Sequence, residues 1–192
     1  MFKVINPNEQ TMVENYRIMI SSIAPRPIAF VGTQNKKKID NLAPYSFFNG
    51  FGANPPIIGF SPALSGRTGK PKDTLVNIIE TSEFTVSMVS RKMSYQMTLS
   101  SCEYDQDVDE FVKSGFTKHK SQFIKPYGVT ESPIIFECKL IDIIKLGDRP
   151  GSGNLILGEI ILFHLKETHL SGDNLDQSSL NLIGRMGGDK YS

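Results

Sequence analysis

Four short stretches of the sequence place hydroxyl, amide or cationic side chains next to apolar residues. They are SSIAPRPIAF (21–30), NLAPYSFFNG (41–50), GRTGKPKDT (66–74) and IGRMGG (183–188). Ser and Thr hydroxyls, backbone N–H groups and Arg or Lys are the groups that bind phosphate. Backbone groups beside apolar strand can hydrogen-bond the rim of a heteroaromatic ring. The combination predicts a ligand with a flat apolar body and a charged tail.

Other catalytic patterns are missing from the sequence. It contains no G-x-G-x-x-G, P-loop, G-x-S-x-G or H-E-x-x-H motif. The three histidines, His119, His164 and His169, lack the i, i+2 spacing expected of a metal pair on a strand. We therefore expect no metal site and assign no catalytic side chain.

Composition narrows the classes of partner. The 192 residues carry a net charge of +1, which argues against a nucleic-acid-binding surface of clustered Lys and Arg. Cys102 and Cys138 lie far apart, as is typical of reduced thiols. The N-terminus has no apolar signal segment, and no apolar run approaches the roughly 18–20 residues that span a bilayer. We expect a cytoplasmic protein that contacts neither membrane nor nucleic acid.

The elements that must position these stretches read mainly as strands. RPIAFVGTQ and IDNLAPYSFF predict a hairpin around Gln34–Lys38, and PPIIGFSPA predicts a third strand starting at Ile57. FTVSMVS predicts another strand, and SPIIFECKLIDIIKLG and NLILGEIILFHLKE predict a long hairpin joined by DRPGSGN. Strands do not alternate regularly with helices, so the pattern favours one mainly antiparallel β-barrel domain over residues 1–192.

A few helices are expected to flank this barrel. Asp73 or Thr74 can cap a helix whose apolar positions Leu75, Ile78 and Ile79 follow the i, i+3, i+4 spacing. RKMSYQMTLSS and DVDEFVKSG predict two further short helices.

The combined pattern RPIAFVGTQ…NLAPYSFFNGFGANPPIIGFS…KPKDTLVNIIETSEFTVSMVS resembles the flavin reductase-like, FMN-binding split-barrel family. The similarity covers about residues 15–165 and the ending GRMGG…Y. It implies an antiparallel, Greek-key split β-barrel, FMN as cofactor and NAD(P)H as possible co-substrate. It also implies a homodimer with FMN near the subunit interface.

The resemblance also implies which residues contact FMN. The strand and turn NLAPYSFFN would lie along the ring system, while Ser46, the Ser61–Pro62 segment, Lys72, the helix start and Arg26 would serve the ribityl chain or the phosphate. The implied cofactor-binding residues are Arg26, Ala43, Pro44, Tyr45, Ser46, Phe47, Asn49, Ser61, Pro62, Lys72, Asp73 and Thr74. Simpler interpretations remain open: a surface role for Lys72, a helix cap at Asp73 or Thr74, an ion pair at Arg26 and core packing for Phe47.

The leading hypothesis for function is an oxidoreductase in which NAD(P)H delivers hydride to FMN and FMN passes electrons to an acceptor. Characterised flavin reductases carry a C-terminal motif, roughly G-D-H, on the nicotinamide side, whereas this sequence reads GEIILFHLKETHLSGDN. FMN binding is thus better supported than reaction with NAD(P)H. The alternatives are a non-catalytic FMN carrier or a flavoprotein component that works with a partner oxygenase.

Overall fold

A computed structural model of the chain describes residues 1–102 and 104–192. The strands are β1 (Ala29–Gln34), β2 (Asp40–Tyr45), β3 (Phe48–Ala53), β4 (Pro56–Phe60), β5 (Glu83–Met88), β6 (Lys118–His119), β7 (Gly128–Val129), β8 (Ile134–Lys145), β9 (Asn154–Leu165), β10 (Leu170–Ser171) and β11 (Asn174–Leu175). The helices are α1 (Met12–Ser22), α2 (Asp73–Thr81), α3 (Ser94–Ser100), α4 (Glu110–Ser114) and α5 (Gln177–Leu180). Within these two ranges, none of the helices has the length and apolar character that a membrane-spanning helix needs.

Seven strands form one antiparallel sheet in the order β2-β1-β5-β8-β9-β4-β3. β2 and β3 follow each other in the chain but lie at opposite ends of this order, so the sheet curls until its two ends meet at Ser46 and Phe47. The Ser61 N–H donates to the Phe47 carbonyl at 2.9 Å, next to this corner. The predicted mainly β split barrel with flanking helices is confirmed.

The core divides into two clusters because successive strand residues point to opposite faces. Ala29 and Val31 of β1 pack with Phe60, Phe84 and other residues inside the barrel. Phe30 of the same strand points outward and is covered by side chains of α3 and α4. Those two helices therefore pack beside β1 and β2, on the side of the barrel where the polar stretches lie.

Gly32 marks the tightest approach within this packing. A Cβ at Gly32 would overlap the Tyr127 carbonyl oxygen and lie 2.6 Å from Thr85 Oγ1. Thr85 Oγ1 donates to that same Tyr127 carbonyl at 2.8 Å, so the space above Gly32 is already filled by a partly buried hydrogen bond. β1 can lie this close to residue 127 only with glycine at position 32.

Both predicted hairpins are present, and β5, α3 and α4 occupy the expected segments. The prediction that PPIIGFSPA is the third strand is wrong, since it forms β4, and glycine-rich β3 precedes it as an exposed strand at one end of the sheet. β4 also begins at Pro56 rather than at Ile57. Proline is tolerated there because it is the first residue of the strand.

The start of α2 also differs from the prediction. Lys72 is the N-cap and makes no side-chain cap hydrogen bond, while Asp73 is the first helical residue. Leu75 and Ile78 are buried as expected, but Ile79 is 57% exposed. α1 was not predicted, although its capping box between Thr11 and Glu14 is visible in the sequence.

Candidate functional site

A cleft of about 390 Å³ opens beside β2 and joins several of the polar stretches. This volume falls within the range of about 300–1,000 Å³ that is usual for ligand sites. Its walls come from β2, the loop 65–72, the start of α2, the end of α3 and the first residue of α4. The lining residues are Asn41, Ala43, Pro44, Tyr45, Ser65, Arg67, Thr68, Lys70, Pro71, Lys72, Asp73, Thr74, Ser100, Ser101, Cys102, Tyr104 and Glu110.

One wall of the cleft is the outer side of β2, which lies at the end of the sheet. The Leu42 N–H points away from β1 and donates to Glu110 Oε2 at 3.1 Å. Pro44, two residues on, faces the same way, so its missing N–H removes no hydrogen bond from the sheet. The Pro44 carbonyl is therefore placed to accept a hydrogen bond from a ligand in the cleft.

The opposite wall is the basic loop, which we define as residues 65–72. The loop is held compactly, because the Ser65 N–H donates to the Lys70 carbonyl and the Gly69 N–H to the Ser65 carbonyl, at 2.9 and 2.8 Å. Gly69 has φ of +69°, a conformation that glycine adopts without strain. The fold of the loop brings Arg67, Lys70 and Lys72 to one cleft.

The basic loop leads directly into α2, whose N-terminal end also lines the cleft. Lys72, Asp73 and Thr74 all belong to the lining. The first hydrogen bonds of the helix run from the Leu75 and Val76 N–H groups to the Lys72 carbonyl. The N–H groups of Asp73 and Thr74 come before these and, as at any helix start, have no carbonyl partner within the helix. Helix N-termini favour anions because these N–H groups and the helix dipole act together.

A buried hydrogen-bond network fixes the contact between α2 and β2. The Thr74 hydroxyl donates to Asn41 Oδ1 at 2.8 Å, and the Thr33 hydroxyl donates to the same oxygen at 3.2 Å. Asn77 Nδ2 then donates to Thr33 Oγ1 at 3.0 Å. The Thr74 side chain is committed to this network, so it contributes to the cleft chiefly through its backbone.

Two ionisable groups of the cleft are shifted towards their neutral forms. Burial raises the pKa of the Tyr45 phenol, and a hydrogen bond with Thr74 only partly offsets this effect. Burial likewise raises the pKa of Glu110, against the hydrogen bonds from Asn41 and the Leu42 N–H that lower it. The neutral Tyr45 phenol presents a hydrogen-bonding group with no charge beside the β2 wall.

A second cleft of about 190 Å³ adjoins the first and shares Pro44, Tyr45 and Ser101 with it. Its further lining residues are Ile28, Ser46, Met97, Thr98, Arg185 and Tyr191. The C-terminal stretch thus reaches the site: Arg185 pairs with Arg26 through two backbone hydrogen bonds of 2.8 and 2.9 Å.

Arg185 is held in place by its neighbours in the C-terminal stretch. Its Nη1 donates to Tyr191 Oη at 2.6 Å, and its guanidinium carbon lies 4.8 Å from the centre of the Tyr191 ring. Nη2 donates to Asp189 Oδ1 at 3.2 Å. The Asp189 side chain is fully exposed, so solvent screens this ion pair strongly.

Arg26 lies behind Ser46 and is only 4% exposed. Nη1 donates to the carbonyls of Ile20 and Ile23, both at 2.6 Å, and Nη2 to the Met186 carbonyl at 3.1 Å. Nε donates to Ser46 Oγ at 3.3 Å. The ion pairs formed among residues 1–102 and 104–192 do not include Arg26. The predicted cation is thus mainly a structural tie whose positive charge is matched by dipoles.

The predicted cofactor residues separate into two groups. Ala43, Pro44, Tyr45, Lys72, Asp73 and Thr74 line the first cleft, and Ser46 lines the second. Phe47 instead packs towards Tyr16 of α1, with ring centres 6.4 Å apart, and Asn49 is exposed on β3. Ser61 Oγ accepts the Asn154 N–H and the Pro62 carbonyl accepts from Asn154 Nδ2, both at 3.1 Å. These four residues, like Arg26, lie outside the lining of both clefts.

Several lining residues were not singled out individually from the sequence. Ser65, Arg67, Thr68 and Lys70 belong to or adjoin the GRTGKPKDT stretch, whose composition was the available signal. Ser100 ends α3, Ser101, Cys102 and Tyr104 follow it, and none of them belongs to a motif. Their presence depends on how α3 packs beside β2, which no local pattern reveals.

Two of the three histidines, His119 and His164, form a cluster outside the lining of both clefts. His164 Nε2 lies 2.7 Å from Glu137 Oε1, and His164 Nδ1 lies 3.3 Å from His119 Nε2. Burial lowers the pKa of His119, and His164 adds to this effect. The described part of the chain has no group of three or more His, Cys, Asp or Glu side chains able to hold a metal ion.

Several known proteins are similar to this chain in sequence and in structure. Residues 21–178 match the family described as flavin reductase like domain. An uncharacterized protein of Aquifex aeolicus is 35% identical, over 92% of this chain and 88% of its own length. The crystal structure of nitrilotriacetate monooxygenase component B from Bacillus cereus aligns with a TM-score of 0.94 and 34% identity, covering 100% of this chain and 95% of that one. Pseudomonas fluorescens 2-nitrobenzoate 2-nitroreductase aligns with a TM-score of 0.88 and 30% identity, covering 99% and 91%.

Proposed function

The chain belongs to the flavin reductase-like domain family, and on that premise we propose that it is an FMN-binding oxidoreductase using NAD(P)H. The observation that carries this proposal is the meeting of three features in one cleft. They are the basic loop, the N-terminal end of α2 and the outer side of β2. A phosphate fits the first two, and the rim of a heteroaromatic ring fits the third.

The chemistry of the lining suggests which end of FMN lies where. Lys70, Lys72 and the first-turn N–H groups of α2 would hold the phosphate, because cations and a helix N-terminus favour a dianion. Ala43, the Pro44 carbonyl and Tyr45 would lie along the ring system. Phe47, Asn49, Ser61 and Pro62 stay outside the site proposed for one chain.

Bound FMN would supply the redox chemistry, by accepting and donating electrons at its ring. The residues of this chain would bind, orient and shield it. Tyr45 adds no negative charge beside the ring, because a phenol is neutral at ordinary pH and burial raises its pKa further. Glu110 stays engaged with the Leu42 N–H, which keeps the outer side of β2 in a fixed position.

Titration with FMN and mixing with nicotinamide nucleotides test the proposal. We expect the protein to bind FMN stoichiometrically, with a shifted visible spectrum, and the flavin band to bleach when NADH or NADPH is added without oxygen. The control is the same nucleotide with free FMN at equal concentration. A protein that takes up no FMN would contradict the whole proposal. FMN binding without bleaching would contradict only the NAD(P)H reaction.

A second candidate is a flavoprotein component that works with a partner oxygenase. The observation that favours it is the 34% identity, over the full chain, to a protein whose name makes it one component of a monooxygenase. The absence of a G-D-H triplet from the sequence favours it too. Slow bleaching by NAD(P)H alone, accelerated by a separate reductase, would distinguish this candidate from the first.

We also propose that two copies form a homodimer with FMN near their interface. α1 exposes five large apolar side chains, and Ile23 directly after it exposes a sixth, on a surface next to Phe47 and the β2–β3 corner. The five on α1 are Met12, Val13, Tyr16, Ile18 and Met19. Exposed apolar surface of this kind favours a protein contact. Sedimentation is expected to give twice the 21.4 kDa of one chain, and a monomer mass at micromolar concentration would contradict the dimer.

A further inference from the structure

We propose that the second cleft binds a small carboxylate with an apolar body about the size of one ring, and that Arg185 recognises the carboxylate. This inference rests on the proposed function, because the carboxylate would be the second substrate of the FMN site. The residues that carry it are Arg26, Arg185, Tyr191, Ile28 and Met97.

The charge around the second cleft is positive. Arg185 lines the cleft, and Arg26 lies directly behind Ser46, to which it is hydrogen-bonded. Arg26 is buried with carbonyl and hydroxyl oxygens as its hydrogen-bond partners, so its charge is not neutralised by a carboxylate among the described residues. Asp189 pairs with Arg185 only at the fully exposed surface. An anion in the cleft would therefore offset two guanidinium charges in a partly desolvated place.

The guanidinium of Arg185 is held in position before any ligand binds. The Tyr191 ring and hydroxyl fix the guanidinium plane, and the Arg26–Arg185 backbone pairing fixes the chain beneath it. Its hydrogen bonds to Tyr191 and Asp189 use two of the five N–H donors of an arginine, and its side chain is 28% exposed. Remaining donors on a fixed planar group suit the two oxygens of a carboxylate.

The rest of the cleft fits an apolar body of limited size. The side chains of Ile28 and Met97 are at most 3% exposed. Pro44 and Tyr45 form the wall that is shared with the first cleft. The volume of about 190 Å³ is smaller than the range of about 300–1,000 Å³ usual for larger ligands. One ring with a carboxylate fits this space better than a dinucleotide does.

The position of the cleft connects it to the proposed chemistry. Pro44, Tyr45 and Ser101 line both clefts, so a molecule in the second would lie against whatever occupies the first. The phosphate of FMN has its own cations in the basic loop, on the far side of the β2 wall. Arg185 is therefore left for a different anion.

Calorimetric titration with benzoate, benzamide and inorganic phosphate tests this assignment on both the FMN-loaded protein and the apoprotein. Benzoate and benzamide differ in charge but not in ring size. We expect benzoate to bind at least about tenfold more tightly than benzamide, a difference of about 1.4 kcal/mol. Phosphate is expected to compete weakly. Equal binding of benzoate and benzamide would overturn the proposal.

Single-residue variants test whether Arg185 is responsible for the preference for benzoate. Arg185→Gln is expected to abolish the preference for benzoate while changing FMN affinity less than about twofold, and Arg91→Gln, at an exposed arginine elsewhere, should change neither. Tyr191→Phe keeps the ring but removes the hydroxyl that accepts from Arg185, and should weaken benzoate binding severalfold. A preference that survives Arg185→Gln would overturn the proposal. So would a tenfold loss of FMN affinity in that variant, since Arg185 would then hold the cofactor phosphate.

The titration of the apoprotein separates the proposal of a carboxylate site from the proposal of FMN binding. If the protein binds no FMN, the proposed function fails. The preference of the apoprotein for benzoate over benzamide, and its loss in Arg185→Gln, still decides whether the second cleft is a carboxylate site.

Discussion

Replacing Lys72 with glutamine is expected to weaken FMN binding about ten- to hundredfold and to leave riboflavin binding unchanged. Lys72 lines the cleft at the N-terminal end of α2, where we place the phosphate. A hydrogen bond to a charged group contributes about 1.5–3 kcal/mol, and each 1.4 kcal/mol is a factor of ten in affinity. Riboflavin lacks the phosphate, so it separates the loss of this contact from damage to the ring-binding wall.

The substitution should leave the helix itself intact. Lys72 caps α2 without a side-chain cap hydrogen bond, so glutamine preserves the backbone contacts to Leu75 and Val76. Lys92→Gln, at an exposed lysine outside both clefts, is the matched control. Fluorescence titration with the two flavins measures all three proteins. An equal loss of FMN and riboflavin affinity in Lys72→Gln would mean that the phosphate lies elsewhere.

Gly32→Ala is expected to destabilise the fold by about 3 kcal/mol, which lowers Tm by roughly 6–12 °C in a domain of this size. The added methyl group would overlap the Tyr127 carbonyl and press on Thr85 Oγ1. Neither neighbour can move freely, because the two are joined by a partly buried hydrogen bond between β5 and the segment before β7. Relief would require β1 to shift within the middle of the sheet.

Gly50→Ala gives the comparison for this effect. Position 50 is on β3, and an added Cβ there meets nothing within 4 Å. Its expected change in stability is within about 0.5 kcal/mol. Thermal unfolding followed by circular dichroism compares the two variants with the parent. Equal Tm values for Gly32→Ala and Gly50→Ala would show that the packing around Gly32 is not limiting.

The parts of the fold that were predicted correctly are those with strong local patterns. In the β1–β2 hairpin, two apolar strands flank a polar turn. In the β8–β9 hairpin, two long apolar strands flank a loop that contains Gly and Pro. β3 was missed because FNGFGA is glycine-rich and exposed, so it lacks the alternation of a half-buried strand. α1 was missed although Met12, Tyr16 and Met19 follow a helical spacing, and only Ile20 on this helix is buried within the chain.

The candidate site was predictable where its residues belong to one stretch. Ala43, Pro44 and Tyr45 come from one strand, and Lys72, Asp73 and Thr74 from one helix start, so two segments supply six of the seventeen lining residues. Ser101 and Arg185 come from segments that only tertiary packing brings to β2. The predicted phosphate cation Arg26 was recognisable as a cation, but its burial against the carbonyls of Ile20, Ile23 and Met186 was not.

The placement of β2 and β3 at opposite ends of the sheet has a consequence for the order of folding. The β1–β2 hairpin can form early, since its contacts are local, but β3 reaches its place only through β4, which pairs with β9 across most of the chain, as in Ile57 opposite Glu159. Contacts between such distant segments form slowly because long loops must close first. The corner at Ser46 and Phe47 therefore becomes rigid only when the last strands have joined. Uptake of flavin by a refolding chain would report that final step, later than the burial of the barrel core.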